Sequence, residues 1–116
     1  MKVFVYFNLH KKVWSVKALS GPKKGLVIAH RDRLVLTDCT FKVSEAGRQR
    51  VLLEKRKNVH AGVVGTLTHH LEDSVGVAVT YNPYKYSSFI TRSDEQPIHF
   101  ARRVVLNGRS VSAVPL

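Results

Sequence analysis

The chain is short of several things, and each shortage closes off a class of protein. Cysteine occurs once, as Cys39. One cysteine makes no internal disulfide and no cysteine-based zinc cluster, so a reducing, cytoplasmic setting is expected. Long apolar runs are missing. Val3 to Phe7 is followed by polar Asn8, too short for a signal-peptide core and far below the roughly 20 residues that cross a bilayer. No membrane is expected as a partner. Carboxylates are scarce, with eight Asp+Glu against nineteen Lys+Arg and a formal net charge of +11. The zinc-protease pattern H-E-x-x-H, the phosphate loop G-x-x-x-x-G-K-[ST] and the nucleophile elbow G-x-S-x-G do not occur. The sequence therefore assigns no catalytic residue, no metal ligand and no cofactor, and a binding protein is expected over an enzyme.

What is present describes one small folded unit. The 116 residues suit a single domain, 1–116. Surface scaling buries about two-thirds of the unfolded chain's area, enough for one core without staples. Apolar residues make up 44% and charged residues 23%, which excludes global disorder. The charge is uneven. Residues 1–57 hold fourteen Lys+Arg and four acids, a local +10, and residues 58–116 contribute +1. A basic surface built mainly by the first half is the expectation.

Hydrophobic alternation places the elements. Residues 3–7 are continuously apolar and suit a buried strand. In Val13 to Leu19, Trp14, Val16 and Ala18 take one side and make the better core face. These two runs predict a hairpin, and 20–25 (SGPKKG) predicts a turn. Leu26 to His30 and Arg33 to Leu36 read as short strands joined by a tight turn at Arg31-Asp32. Thr37-Asp38 reads as a break, and Cys39, Phe41 and Val43 then share a face, with Cys39 a buried thiol. Ser44 is the expected N-cap of a helix running to about Lys57, with Glu45 in its first turn. Gly62 and Gly65 suggest a bulge or a close backbone approach in a strand over 59–68. His69 to Ser74 reads as a turn, with strands near 75–80 and 87–92. Asn107-Gly108 predicts a hairpin with a type I′ turn. The fold class expected is α+β: mostly antiparallel sheet with one principal basic helix.

The cations mark the candidate site. Arg48, Arg50, Lys55, Arg56 and Lys57 fall within ten residues, opposed by Glu54. On an ideal helix Arg48 and Lys55 lie about 20° apart, as do Arg50 and Lys57. Arg56 lies elsewhere, so the charges surround the helix. Lys42, Lys23, Lys24, Arg31 and Arg33 extend the basic set, and Lys11-Lys12 add to it. Such groups neutralise phosphates and release counterions, and arginine grips phosphate with two donors. Each taken alone is equally an ordinary solvated residue. The aromatics Tyr81, Tyr84, Tyr86 and Phe89 read as core or rim packing before base stacking. The histidines at 10, 30, 60, 69, 70 and 99 read as surface or rim residues.

The stretch from Phe41 to Val51 (FKVSEAGRQRV), continuing through 54–61 (EKRKNVHA), resembles small uncharacterised proteins encoded by tailed bacteriophages. The segment 81–89 (YNPYKYSSF) is similar to the same group. The resemblance covers most of the chain. It implies a host-cell cytoplasmic setting and carries no activity or catalytic residue with it. Two functions follow as expectations. The first is a nucleic-acid-binding protein that contacts the phosphate backbone of DNA or RNA. The second is an interaction module or inhibitor that docks on an acidic host protein.

Overall fold

Alternating apolar residues with no helical period give strands, and the computed structural model bears this out over the residues it describes, 1–55, 59–68 and 76–116. In chain order these hold β1 (Lys2–Asn8), β2 (Val13–Ala18), β3 (Val27–Arg31), β4 (Arg33–Val43), α1 (Glu45–Glu54), β5 (Ala61–Thr68), β6 (Val77–Thr80), β7 (Ile90–Thr91), β8 (Phe100–Asn107) and β9 (Ser110–Val114). All nine strands join one sheet in the order β3-β2-β1-β5-β4-β8-β9-β6-β7, and every pairing is antiparallel. The result is mostly antiparallel sheet with a single short helix, closer to all-β than to the α+β arrangement expected.

One face of the sheet is the core. Val3 lies opposite Ala18 and Val5 opposite Val16 across β1 and β2. Val5 also faces Val63, and Val63 faces Phe41. Leu34 and Leu36 on β4 lie opposite Leu106 and Val104 on β8. These residues are buried together with Trp14, Cys39, Phe89 and Ile98. Full burial of each aliphatic side chain contributes roughly 1.5–3 kcal/mol.

A flat sheet cannot bury a face against itself, and this one is curled. The strands β2 and β8 stand four places apart, about 19 Å in a flat sheet at ~4.8 Å per step. Yet the Trp14 indole N–H donates to the Gly108 carbonyl, in the β8–β9 turn, at 2.7 Å. The Arg109 guanidinium beside it lies 5.4 Å from the centre of the Phe7 ring. The inner face therefore closes on itself, and the segment after β6 fills one end. There Phe89 packs on Phe41 at 4.9 Å and on Tyr81 at 5.1 Å between ring centres. A register shift in β4 between Thr37 and Thr40, with Asp38 at φ 51°, kinks the long strand where it bends.

Several expectations are corrected here. The helix stops at Glu54, not near Lys57, because Lys55 takes a left-handed conformation (φ 53°) as its C-cap. Within α1 Arg48 and Arg50 are balanced by Glu45 and Glu54, so no basic helix is seen. Arg56 and Lys57 lie outside the described residues, as does the turn expected at 69–74. Ser44 does cap the helix, its hydroxyl accepting from the Gly47 N–H at 3.2 Å. The Arg31-Asp32 turn does not return a hairpin: β3 pairs with β2, and β4 pairs with β5 and β8. Thr37-Asp38 is a bulge inside one strand, not a break. In the last hairpin Asn107 faces Ser110, so the loop is Gly108-Arg109. Positive φ falls on Gly108 and not on Arg109, the pattern of a type II′ turn.

Candidate nucleic-acid interface

Side chains alternate across a strand, so burying Val3 and Val5 sends Phe4 and Tyr6 to the opposite, outer face. Pairing then fixes their neighbours. Phe4 lies between Lys17 on β2 and Val64 on β5. Val64 faces Thr40, and Thr40 faces Phe100. One transverse row thus reads Lys17, Phe4, Val64, Thr40, Phe100. The next row reads Lys2, Thr66, Thr37, Arg103. A third level brings Tyr6 opposite Ser15, Ser15 opposite His30, and Lys42 opposite Gly62.

Glycine at 62 makes this arrangement possible. A Cβ there would lie 2.6 Å from Cζ of Phe4 and 2.4 Å from the Val5 carbonyl oxygen. The Phe4 ring therefore rests over Gly62, with Lys17 on one side and Lys42 across the other. Tyr6 sits beside Phe4, ring centres 5.9 Å apart and planes 32° apart. Phe100 is 58% exposed. At the edge, the Ser15 hydroxyl and His30 Nδ1 are 3.0 Å apart, and Lys11 Nζ is 3.4 Å from His30 Nε2. Lys2, Lys42 and Phe100 are exposed and Phe4, Tyr6, Val64, Thr40 and Thr66 are half-buried, while Ser15 and Val35, which alternate onto the same side, are buried.

The charge of the face is positive. Lys2 and Lys42 are exposed and Lys17 is half-buried. Among the described residues no carboxylate pairs with any of these three. The nearest acid on the strands is Asp38, exposed at the β4 bulge beside Thr37.

Of the residues singled out in the sequence, Lys42 belongs to this face. Lys23 and Lys24 are exposed in the β2–β3 turn, and Arg31 is exposed on β3. Arg33 opens β4 opposite Asn107 and is half-buried. Arg48 is tied down: its Nε donates to the Pro83 carbonyl at 2.9 Å and its Nη1 meets the Glu45 carboxylate at 3.1 Å. That carboxylate is held below its usual range, by the Gln49 amide first and by Arg48 second. Arg50 and Lys55 are exposed on and after α1. Of the helix cations, Arg48 is thus committed to contacts within the fold, and Arg50 and Lys55 face solvent. Sequence reasoning missed Lys2, Lys17, Phe4, Tyr6 and Phe100.

The other candidates resolve into packing. Tyr81 joins the core edge, its hydroxyl 2.7 Å from His60 Nε2, and burial raises its pKa. The Tyr86 hydroxyl donates to Glu95, which raises its pKa, and Tyr84 is exposed. Burial pushes the Cys39 thiol up to about 12. Among the described residues no three His, Cys, Asp or Glu cluster as metal ligands. His69 and His70 lie outside the described residues.

Fold and face together define a small, curled antiparallel-sheet protein whose outer face carries aromatic and cationic residues. Among the described residues no helix is long and apolar enough to cross a membrane. The family of the Mycobacterium phage L5 gene 82 protein matches residues 1–114, and the chain belongs to it. The gene 82 protein of Mycobacterium phage L5 is 42% identical over 120 residues, covering 97% of this chain and 95% of that protein. The kinship with phage proteins expected from the sequence holds. No solved structure matches the chain.

Proposed function

We propose that this protein binds nucleic acid through phosphate contacts made by the outer face of the sheet, as a phage accessory protein in the host cytoplasm. The observation that supports the reading is the gathering of Lys2, Lys17 and Lys42 on one face, with no carboxylate matched to them among the described residues. Ammonium groups so placed gain from phosphate because neutralisation releases condensed counterions. Lys23 and Lys24 add exposed cations in the turn after β2, whereas Arg31 pairs with Trp14 and so falls on the opposite side of the sheet. Phosphate contacts set position and carry no sequence directly, so weak base preference is expected.

A salt titration tests this. Binding of a short DNA or RNA, single- or double-stranded, is followed between about 50 and 200 mM salt. The wild type should lose affinity steeply. The triple variant Lys2→Gln, Lys17→Gln, Lys42→Gln should flatten the log–log slope by about 2–3, at roughly 0.7–0.9 per contact. No binding to any nucleic acid at low salt would refute the reading. Retention of a protein from nuclease-treated host lysate, with no binding to bare nucleic acid, would favour the acidic-protein partner.

A further inference from the structure

Resting on that reading, we infer that the nucleic acid on the outer face is single-stranded, with unpaired bases stacked on Phe4, Tyr6 and Phe100. Phosphate neutralisation needs cations alone and leaves the aromatics unexplained. A duplex hides the faces of its bases in the stack and offers an aromatic platform nothing to cover. Unpaired bases expose those faces, and aromatic side chains in a cationic groove are the recurring device that takes them.

The geometry suits such a strand. Phe4 and Tyr6 lie side by side, 5.9 Å between ring centres. Phe100 stands three strand steps from Phe4, about 14 Å at ~4.8 Å per step. Val64 and Thr40 fill the interval. Lys17 lies directly opposite Phe4, and Lys42 lies opposite Gly62, over which the Phe4 ring rests. Each cation is thus within a strand or two of a stacking ring, as alternating phosphates and bases require. Thr37 and Thr66 in the next row add hydroxyls beside Lys2.

Three fluorescent DNA probes of equal length separate base contacts from phosphate contacts. They are a mixed-sequence single strand, its blunt duplex and an abasic strand. The single strand should bind more tightly than both the duplex and the abasic strand. Phe100→Ala should weaken single-strand binding by about 5- to 150-fold, the usual range for one stacked base, and leave abasic binding unchanged. Tyr6→Ala should act likewise, and circular dichroism confirms that each variant is folded. Equal affinity for the single and abasic strands overturns the inference, as does single-strand binding indifferent to Phe100→Ala. If the triple lysine variant still weakens binding in that case, the phosphate reading stands and stacking alone falls. Failure at low salt of all three probes, and of a single-stranded and a duplex RNA of the same sequence, removes both. Concentration-dependent self-association abolished by Phe100→Ala, with no probe bound, assigns the face to a second copy and also overturns the inference.

Discussion

Replacing Trp14 by Phe tests whether the curl of the sheet depends on its clasp. The substitution keeps an aromatic ring on the inner face and removes the indole N–H that reaches the Gly108 carbonyl at 2.7 Å. Gly108 is exposed, so water takes over the carbonyl and the loss is the net value of the bond, about 0.5–1.5 kcal/mol. The smaller ring also leaves a void beside Val16 and Phe7, for about 1–2 kcal/mol more. Together the cost is about 1.5–3.5 kcal/mol. A chain of this length has an unfolding entropy that converts each kcal/mol into about 4 °C, so Tm should fall by about 6–14 °C. Thermal melts and urea titrations measure it. Arg109→Gln, which removes the guanidinium over Phe7, should cost less, about 0.5–1 kcal/mol. The two losses should not add, because both groups hold the same closure. A Tm change under about 2 °C for Trp14→Phe, or strict additivity with Arg109→Gln, would show that core packing alone curls the sheet.

Two other substitutions follow from the same contacts. Gly62→Ala puts a methyl 2.4 Å from a backbone oxygen and 2.6 Å from the Phe4 ring. It should lower the urea-derived stability by about 1–3 kcal/mol and weaken strand binding, and an unchanged midpoint would contradict the packing described. Cys39 is protonated in the fold up to about pH 12, against 9.0 when unperturbed, because burial disfavours the thiolate. Between those values the unfolded chain releases a proton that the fold retains, so stability falls as pH rises, by about 1.4 kcal/mol per unit. The Cys39→Ala variant should lack that component, and parallel pH profiles for the two proteins would exclude it.

Local pattern predicted the parts of this fold that local forces decide. Trp14, Val16 and Ala18 do share the core face, Ser44 does cap a helix, and 20–25 does turn, with Gly21 and Gly25 at positive φ. Pairing was less legible. Arg33 to Leu36 looks like the partner of the strand before it, yet β4 binds β5 and β8, chosen by inner-face packing from distant residues. The helix end escaped because Lys55 stops it in a conformation that lysine seldom takes. The site was the least visible part. Lys42 was found as one cation among many. Phe4 and Tyr6 were hidden inside an apolar run that read as wholly buried. Their place on the outer face follows once that run pairs with a strand carrying Ser15 and Lys17 on its other side. Phe100 joins the row only through four long-range pairings, which no window of sequence contains.

Burial of Cys39 has a practical consequence. Its thiol is out of solvent's reach and protonated at neutral pH, so thiol reagents should leave the folded chain unlabelled. A cysteine placed on the outer face, for instance by Thr66→Cys next to Lys2 in the second row, would be the single point of attachment for a dye or a photocrosslinker. The native sequence thus already permits a probe to be set beside the strand path with no other residue changed.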